Sequence, residues 1–148
     1  MTKKAPKKVF TDGPLSPDMV SDSIAAHQAK TNIGAHSIFL GQVRADKVDG
    51  KIVKAIEYSA YEEMALNAFH EIREKAFSRF EEMTCCHIYH SLGTVKTGEI
   101  CLFVFTSSKH RRVAIESCDF IVEEIKSQVP IFGKELFEDE SHQWKVNT

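Results

Sequence analysis

The spacing of apolar residues predicts two long helices in the chain. Between positions 61 and 82, hydrophobic side chains recur every three or four residues, which is the period of one helix face. The stripe consists of Ala65, Phe69, Ile72, Ala76 and Phe80. A similar stripe follows Ser107 and Ser108, either of which can cap a helix, and Pro130 ends it. We expect both helices to pack on a sheet through these faces.

A third helix is predicted near the N-terminus, where the chain reads Ser16-Pro17-Asp18. Serine caps a helix, proline suits the first turn, and aspartate faces the positive end of the helix dipole. The helix should extend to about Lys30, because apolar residues follow at helical spacing. A short strand over 9–11 is expected to precede it.

Runs of β-forming residues predict the remaining elements. Positions 34–43 and 52–58 are expected to form a hairpin with a long loop, which contains an Asp-Gly turn signal at 49–50. Further strands are predicted over 84–91 and 99–106, and the second is apolar enough to be buried on both faces. The order β-α-β-β-α-β-β-α-β predicts an α+β fold, with helices packed on a largely antiparallel sheet.

Composition is that of an ordinary globular protein. The 148 residues correspond to one domain, over 9–148, and the lysine-rich segment 1–8 is expected to be a flexible tail. The net charge of -2 gives no basic excess that would indicate nucleic-acid binding, and no apolar run is long enough for a membrane span. Because the N-terminus lacks the apolar core of a secretory signal, we expect a cytoplasmic location.

The cysteines and histidines do not show the spacing of metal ligands. None of the four cysteines forms a CxxC pair, and we expect them to be free, mostly buried thiols. We therefore predict no metal and no cofactor.

Three basic features could take part in chemistry. Gly41 inside a strand suggests a bulge or a close backbone approach, and Arg44 at the strand end could hold an anion or simply close the strand. His110 and Arg111 would fall in the first turn of a helix, where the dipole disfavours cations. They could bind an anion together with helix amides, or form a solvated basic turn. Lys126 is expected near a helix C-terminus, where a cation stabilises the helix through its dipole even when no ligand is bound.

The order of these pieces resembles the large catalytic subunit of molybdopterin synthase, the MoaE family. The resemblance covers the chain from about Val9 to Trp144. The matching pieces are Gly34-Ala35, Gly41-Gln42-Val43-Arg44, Glu57-Tyr58-Ser59-Ala60-Tyr61 with Met64, His90-Ser91-Leu92-Gly93, Gly98-Glu99, Ser107-Ser108-Lys109-His110-Arg111, Ile125-Lys126, Pro130-Ile131-Phe132 and Trp144.

The resemblance implies a sulfurtransferase of molybdenum cofactor biosynthesis. Such an enzyme adds two sulfurs to cyclic pyranopterin monophosphate (precursor Z), forming the dithiolene of molybdopterin. Sulfur arrives as a thiocarboxylate on the C-terminal glycine of a small ubiquitin-like sulfur-carrier subunit. The implied assembly is a heterotetramer around a homodimer of the large subunit. The implied fold is an α/β hammerhead with a small β subdomain.

The resemblance also implies roles for particular residues. Arg44, His110 and Arg111 match positions that bind the anionic substrate, and Phe39 is expected to line the pocket wall. Lys126 matches the catalytic lysine, which either steadies the negative charge of the sulfur donor or acts as a general acid or base. Arg111 and Lys126 would lie about 22 Å apart on one straight helix. A single site containing both is therefore expected to form across a dimer interface.

The chain departs from the family pattern at Gly133, where a second active-site lysine is usual. If Gly133 lets the backbone turn, Lys134 fills that catalytic and substrate-binding role. The C-terminal residues 145–148 are expected to approach the pocket of the other subunit.

Two other functions stay open at this stage. A domain of this fold could be a non-catalytic module that binds a ubiquitin-like tail or an anionic metabolite. Alternatively, Cys101 or Cys118 could carry sulfur, although both lie in apolar surroundings.

Overall fold

The computed structural model describes residues 8–146, so the predicted tail at 1–8 lies almost wholly outside it. Three helices and eight strands form within this range, which confirms the α+β class. In chain order they are β1 (Phe10–Asp12), α1 (Pro17–His27), β2 (Ala35–Gln42), β3 (Lys47–Val48), β4 (Lys51–Ala60), α2 (Glu62–Arg79), β5 (Met83–Lys96), β6 (Ile100–Ser108), α3 (Arg111–Gln128), β7 (Ile131–Phe137) and β8 (His142–Trp144).

The strands form one sheet in the order β2-β6-β5-β4-β7-β8. Strand β1 pairs with β5 in parallel, β3 pairs with β4, and every pair other than β1–β5 is antiparallel, as predicted. The long strand β5 pairs with β6 over Met83–His90 and with β4 over 93–96. It therefore joins the part of the sheet that contains β2 and β6 to the part that contains β4, β7 and β8.

Strand β6 is covered on both faces, as its apolar sequence predicts. Leu102 and Val104 belong to the main core, which also contains the buried faces of α2 and α3. Phe103 and Phe105 point to the opposite face, where they pack with Leu15 and with α1. None of the three helices between residues 8 and 146 has the length and apolar composition of a membrane span.

The predicted hairpin between 34–43 and 52–58 is wrong. Strand β2 pairs with β6, and the long pairings of β4 are with β5 and β7, so these partners are distant in sequence. The Asp-Gly signal does form a turn, but it joins the short strand β3 to β4. Asp49 and Gly50 both have positive φ, at 50° and 79°, as a two-residue hairpin turn with right-handed twist requires.

Helix boundaries differ from the predictions at three places. Ser16 caps α1 by accepting a hydrogen bond from the Asp18 amide, as predicted, but the helix ends at His27 rather than Lys30. Helix α2 ends before Phe80, which is its C-cap. Helix α3 begins at Arg111 with His110 as its N-cap, because the two serines expected to cap it are buried in the end of β6.

Candidate active site

A cavity of about 330 Å³ opens where β2, β4, β6 and β7 meet the C-terminal end of α3. Its walls combine apolar side chains from these elements with a comparable number of polar and charged side chains. The lining residues are Phe39, Leu40, Gly41, Gln42, Val43, Arg44, Asp46, Ile56, Tyr58, His90, Cys101, Leu102, Ile125, Lys126, Val129, Ile131, Gly133, Glu135 and Lys145. A concave site in which apolar walls and convergent polar groups meet is typical of small-molecule binding.

The end of β2 supplies one wall of the cavity. The register of β2 against β6 shifts between Gly41 and Gln42, which confirms the predicted bulge. A Cβ atom on Gly41 would lie 3.2 Å from the Cβ of Leu102, so the crowding at Gly41 comes from a side chain and not from the other backbone that was the alternative prediction. Phe39 and Arg44 both reach the cavity from this strand end. The Arg44 guanidinium lies at the mouth, 3.3 Å from the Asp46 carboxylate and largely exposed.

Lys126 reaches the cavity from the last turn of α3, beside a buried histidine. Burial, reinforced by the positive charge of Lys126, lowers the pKa of His90 to about 4. His90 Nδ1 lies 2.7 Å from the carbonyl oxygen of Ser91, and it must donate because a carbonyl can only accept. His90 is therefore neutral at physiological pH, and Lys126 supplies positive charge on this side of the cavity.

Tyr58 and Cys101 also line the cavity. Burial and the neighbouring Cys101 raise the pKa of the Tyr58 hydroxyl, which stays protonated. The Cys101 thiol donates to the carbonyl oxygen of Gly41 at 3.4 Å and is buried. Cys118, the other candidate sulfur carrier, is not among the lining residues, and burial raises its pKa.

The structure does not bring His110 and Arg111 to this cavity within one chain. Both lie at the N-terminal end of α3, and the helix continues without a break to Gln128. Fifteen residues of helix place Arg111 about 22 Å from Lys126 along the axis. His110 Nδ1 lies 3.0 Å from the carboxylate of Glu82, on the surface.

Lys134 also lies outside the cavity, and the predicted turn at Gly133 is wrong. Gly133 continues β7 in regular pairing opposite Tyr58 and lines the cavity. The next side chain therefore points to the other face of the sheet. There the Lys134 ammonium lies 3.7 Å from the Glu57 carboxylate and 5.4 Å from the centre of the Trp144 ring.

Three charged residues that the sequence did not assign to the site of this chain line the cavity, namely Asp46, Glu135 and Lys145. Glu135 is two positions after Gly133 on the same face of β7, and it accepts a hydrogen bond from Gln143 at 3.2 Å. Strand alternation could have revealed it. Lys145 follows β8, and its amide donates to the Gly133 carbonyl at 2.7 Å. Its position depends on β7–β8 pairing, for which the sequence holds no signal, and it reaches the cavity of its own chain.

An exposed aromatic surface adjoins the cavity. We define it as Tyr61, Phe132 and Trp144, whose exposed fractions are 64%, 42% and 60%. The rings of Tyr61 and Phe132 meet edge to face, with centres 5.4 Å apart. A shallow groove lined by Phe132, Trp144, Lys126 and Lys145 connects this surface with the cavity.

Comparison with known proteins agrees with the resemblance. The family model described as "MoaE protein" matches residues 10–128. A "Molybdopterin synthase catalytic subunit" of Drosophila grimshawi is 43% identical over 115 residues, which are 77% of this chain. A protein of the same description from Pyrococcus abyssi is 39% identical over 116 residues, covering 78% of this chain and 76% of its own.

A solved structure shares the whole architecture. The crystal structure of a molybdopterin synthase from Staphylococcus aureus superposes with a TM-score of 0.81 and 25% identity, over 93% of this chain and 96% of that one. The aligned segment spans only 32% of the Drosophila protein's length.

Proposed function

The chain belongs to the MoaE protein family, and on this premise we propose that it is the catalytic subunit of a cytoplasmic molybdopterin synthase. In this role it transfers two sulfurs from the C-terminal thiocarboxylate of a small ubiquitin-like subunit to precursor Z. The observation that supports this most directly is the convergence of Phe39, Arg44 and Lys126 on one cavity.

The charges of the cavity suit such a reaction. Precursor Z carries a cyclic phosphate, which the exposed guanidinium of Arg44 can bind in bidentate fashion at the mouth. The thiocarboxylate is also anionic, and Lys126 stabilises its charge, or the charge that develops as sulfur moves. A neutral His90 beside Lys126 adds no competing charge. Lys126 can alternatively transfer a proton.

The proposed assembly places a second copy of the chain at the cavity. Because His110 and Arg111 lie at the far end of α3 from Lys126, we propose that a partner protomer supplies them across a twofold interface. The tail of the small subunit would cross the aromatic surface and enter beside Lys126. Aromatic side chains of this kind are frequent anchors of protein interfaces.

Reconstitution tests the proposal directly. The purified chain is mixed with a thiocarboxylated small subunit and precursor Z, and molybdopterin is measured. We expect product from the wild type and a rate about 10²–10³ lower for Lys126→Ala, as is usual when a group that stabilises developing charge is removed. Lys54→Ala is the matched control, since Lys54 only pairs with Glu140 on the surface.

Gly133 favours a second candidate function, a module that binds a ubiquitin-like tail or an anionic metabolite without catalysis. Loss of the usual lysine removes a charge that the chemistry could need. If the wild type binds the small subunit but forms no molybdopterin, this second function replaces the first. If neither binding nor product is observed, both proposals fail.

A further inference from the structure

A second cluster of reactive side chains lies between α1 and β5, away from the cavity. It consists of His27, Cys85 and His87, whose nearest donor atoms all lie within 4.8 Å of one another. The Nε2 atoms of the two histidines are 3.1 Å apart. None of the three residues lines the cavity, and the proposed sulfur transfer does not use them.

The backbone aims these three side chains at one point. Cys85 and His87 are two positions apart in β5, so both project from the same face of the sheet. His27 is the last residue of α1 and faces them from above, and both it and Cys85 are only 6% exposed. The ring of Phe105, 4.7 Å from the His27 ring between centres, closes the apolar side of the cluster.

The three side chains hold two hydrogen bonds that a metal would replace. The two histidine Nε2 atoms share one, and the Lys30 ammonium donates the other to the Cys85 sulfur. His27 Nδ1 lies 2.7 Å from the carbonyl oxygen of Ser23 and must donate to it, so its Nε2 holds a lone pair directed at the cluster. Metal-bound histidines are usually oriented by this kind of second hydrogen bond. Two nitrogens bound to one tetrahedral zinc, each at 2.0–2.1 Å, lie about 3.3 Å apart, close to the separation found here.

We propose that His27, Cys85 and His87 form a binding site for Zn²⁺ or a similar borderline-soft divalent ion. Mixed nitrogen and sulfur ligands suit this class of ion, and water completes the tetrahedron. Binding exchanges the thiol proton of Cys85 for the ion, and the His87 proton moves to its other nitrogen. Lys30, whose ammonium lies 3.2 Å from the Cys85 sulfur, is exposed and can rotate into solvent. The ion would tie the end of α1 to the sheet.

Cobalt(II) titration of the metal-stripped full chain tests this site independently of catalysis. We expect one equivalent to bind with a thiolate-to-cobalt charge-transfer band and tetrahedral d–d bands, both removed by Zn²⁺. Cys85→Ser should lose the charge-transfer band, and His87→Gln should weaken cobalt binding at least tenfold. Cys118→Ser, a buried thiol elsewhere, is the matched control and should keep the band.

The same titration can overturn the proposal. A wild type that shows no thiolate band has no such site, whatever the variants do. A band that persists in Cys85→Ser but disappears in Cys118→Ser places the ion elsewhere. Circular dichroism of each variant separates loss of the site from loss of the fold.

An independent observation concerns the space beside Gly133. A Cβ atom on Gly133 would lie 3.0 Å from Ile56 Cγ2 and 3.8 Å from the Cβ of Lys145. Lys145 thus approaches the cavity from beside the position where the usual lysine would begin. It lines the cavity and the adjoining groove together with Lys126, whereas Lys134 faces the other side of the sheet.

We infer that Lys145 supplies the second lysine of the cavity, as a positioning residue for the anionic substrate or sulfur donor. This inference rests on the proposed function. Because β7 and β8 are paired neighbours, the side chain of Lys145 can reach the space beside Gly133. A lysine from the segment after β8 would then take the place of the lysine that the family resemblance implies at position 133.

Kinetics of three variants test the role of Lys145. Lys145→Ala should raise the KM for precursor Z about tenfold, the effect of losing one charge-assisted hydrogen bond, with a smaller change in kcat. Adding Gly133→Lys to Lys145→Ala should restore KM, and Lys134→Ala should resemble the wild type. The inference is overturned if Lys134→Ala carries the loss and Lys145→Ala does not.

Binding of precursor Z, measured by calorimetry, keeps the two proposals distinguishable. If the wild type has no synthase activity but Lys145→Ala still weakens precursor Z binding about tenfold, only the proposed function fails. If the wild type is active and Lys145→Ala changes neither KM nor binding, only the role of Lys145 fails.

Discussion

The two ends of α3 carry charge in opposite ways. At its N-terminal end, His110, Arg111 and Arg112 are all exposed, and His110 and Arg112 lie close to the surface glutamates Glu82 and Glu116. At its C-terminal end, Lys126 stands beside the buried His90 and a cavity. The end with more cations is therefore exposed to solvent, and the end with fewer lines a cavity.

This difference shows that a site needs enclosure as well as charge. Water screens an exposed arginine, so its interaction with an anion is weak unless another surface covers it. The helix dipole adds about 0.3–1 kcal/mol against each cation at the N-terminal end and in favour of Lys126 at the other. In the proposed twofold assembly, the basic end of α3 would be covered when it meets the cavity of the partner protomer.

Combining variants at the two ends of α3 is the strongest test of whether residues of two protomers form one site. Arg111→Ala and Lys126→Ala should each lower activity about 10²-fold or more, because each damages both sites of a homodimer. Co-expression of the two variants should restore about a quarter of wild-type activity. Half of the dimers formed at random are mixed, and each mixed dimer has one intact site.

The contrary outcome is equally clear. If co-expression restores nothing while mixed dimers are present by mass spectrometry, the two residues act within one chain or in different steps. Co-expression of Lys126→Ala with itself is the control, and it should stay inactive.

The buried His90, beside the C-terminal end of α3, should also make the free energy of unfolding depend on pH. The pKa of His90 is about 4 in the folded chain, below the usual 6.5. Between these two pH values the unfolded chain therefore binds a proton that the folded chain does not bind. Its contribution to stability is complete above pH 6.5 and is lost as the pH falls towards 4, by up to about 3 kcal/mol. Urea unfolding of the wild type and His90→Gln, measured from pH 4 to 7, should show a shallower acid decline in the variant.

The smallest expected effect concerns the thiol in the cavity wall. Cys101→Ser should leave the rate of molybdopterin formation within about twofold, because charge stabilisation by Lys126 rather than a thiol carries the proposed chemistry. Cys118→Ser is the control for general loss of a buried thiol. A complete loss of activity in Cys101→Ser alone would restore the sulfur-carrier alternative.

Local sequence patterns predicted where the helices and strands lie better than they predicted which strands pair with each other. The stripe of α2 and the two-sided burial of β6 follow from spacing within one segment, and both are confirmed. The hairpin between β2 and β4 failed because strand pairing here is long-range and no local turn fixes it.

The same distinction applies to the candidate site. Phe39, Arg44 and Lys126 were assigned by resemblance and do meet at the cavity, while the roles given to them stay predictions. Lys134 was expected there because it is next to Gly133 in sequence, but neighbours in a strand face opposite sides. Lys145 is close only through the pairing of β7 with β8, and His27 meets Cys85 only through the packing of α1.

The strand β5 has a consequence for how the molecule folds. Since β6 pairs with its first part and β4 with its last, neither part of the sheet is complete until β5 is in place. We therefore expect unfolding in a single cooperative transition, as in most single domains of this size. Most strand pairs of the sheet join distant segments of the chain, and closing those loops costs entropy before contacts form. Folding should be slower than in a helical bundle of equal length, with the central strand ordered in the transition state.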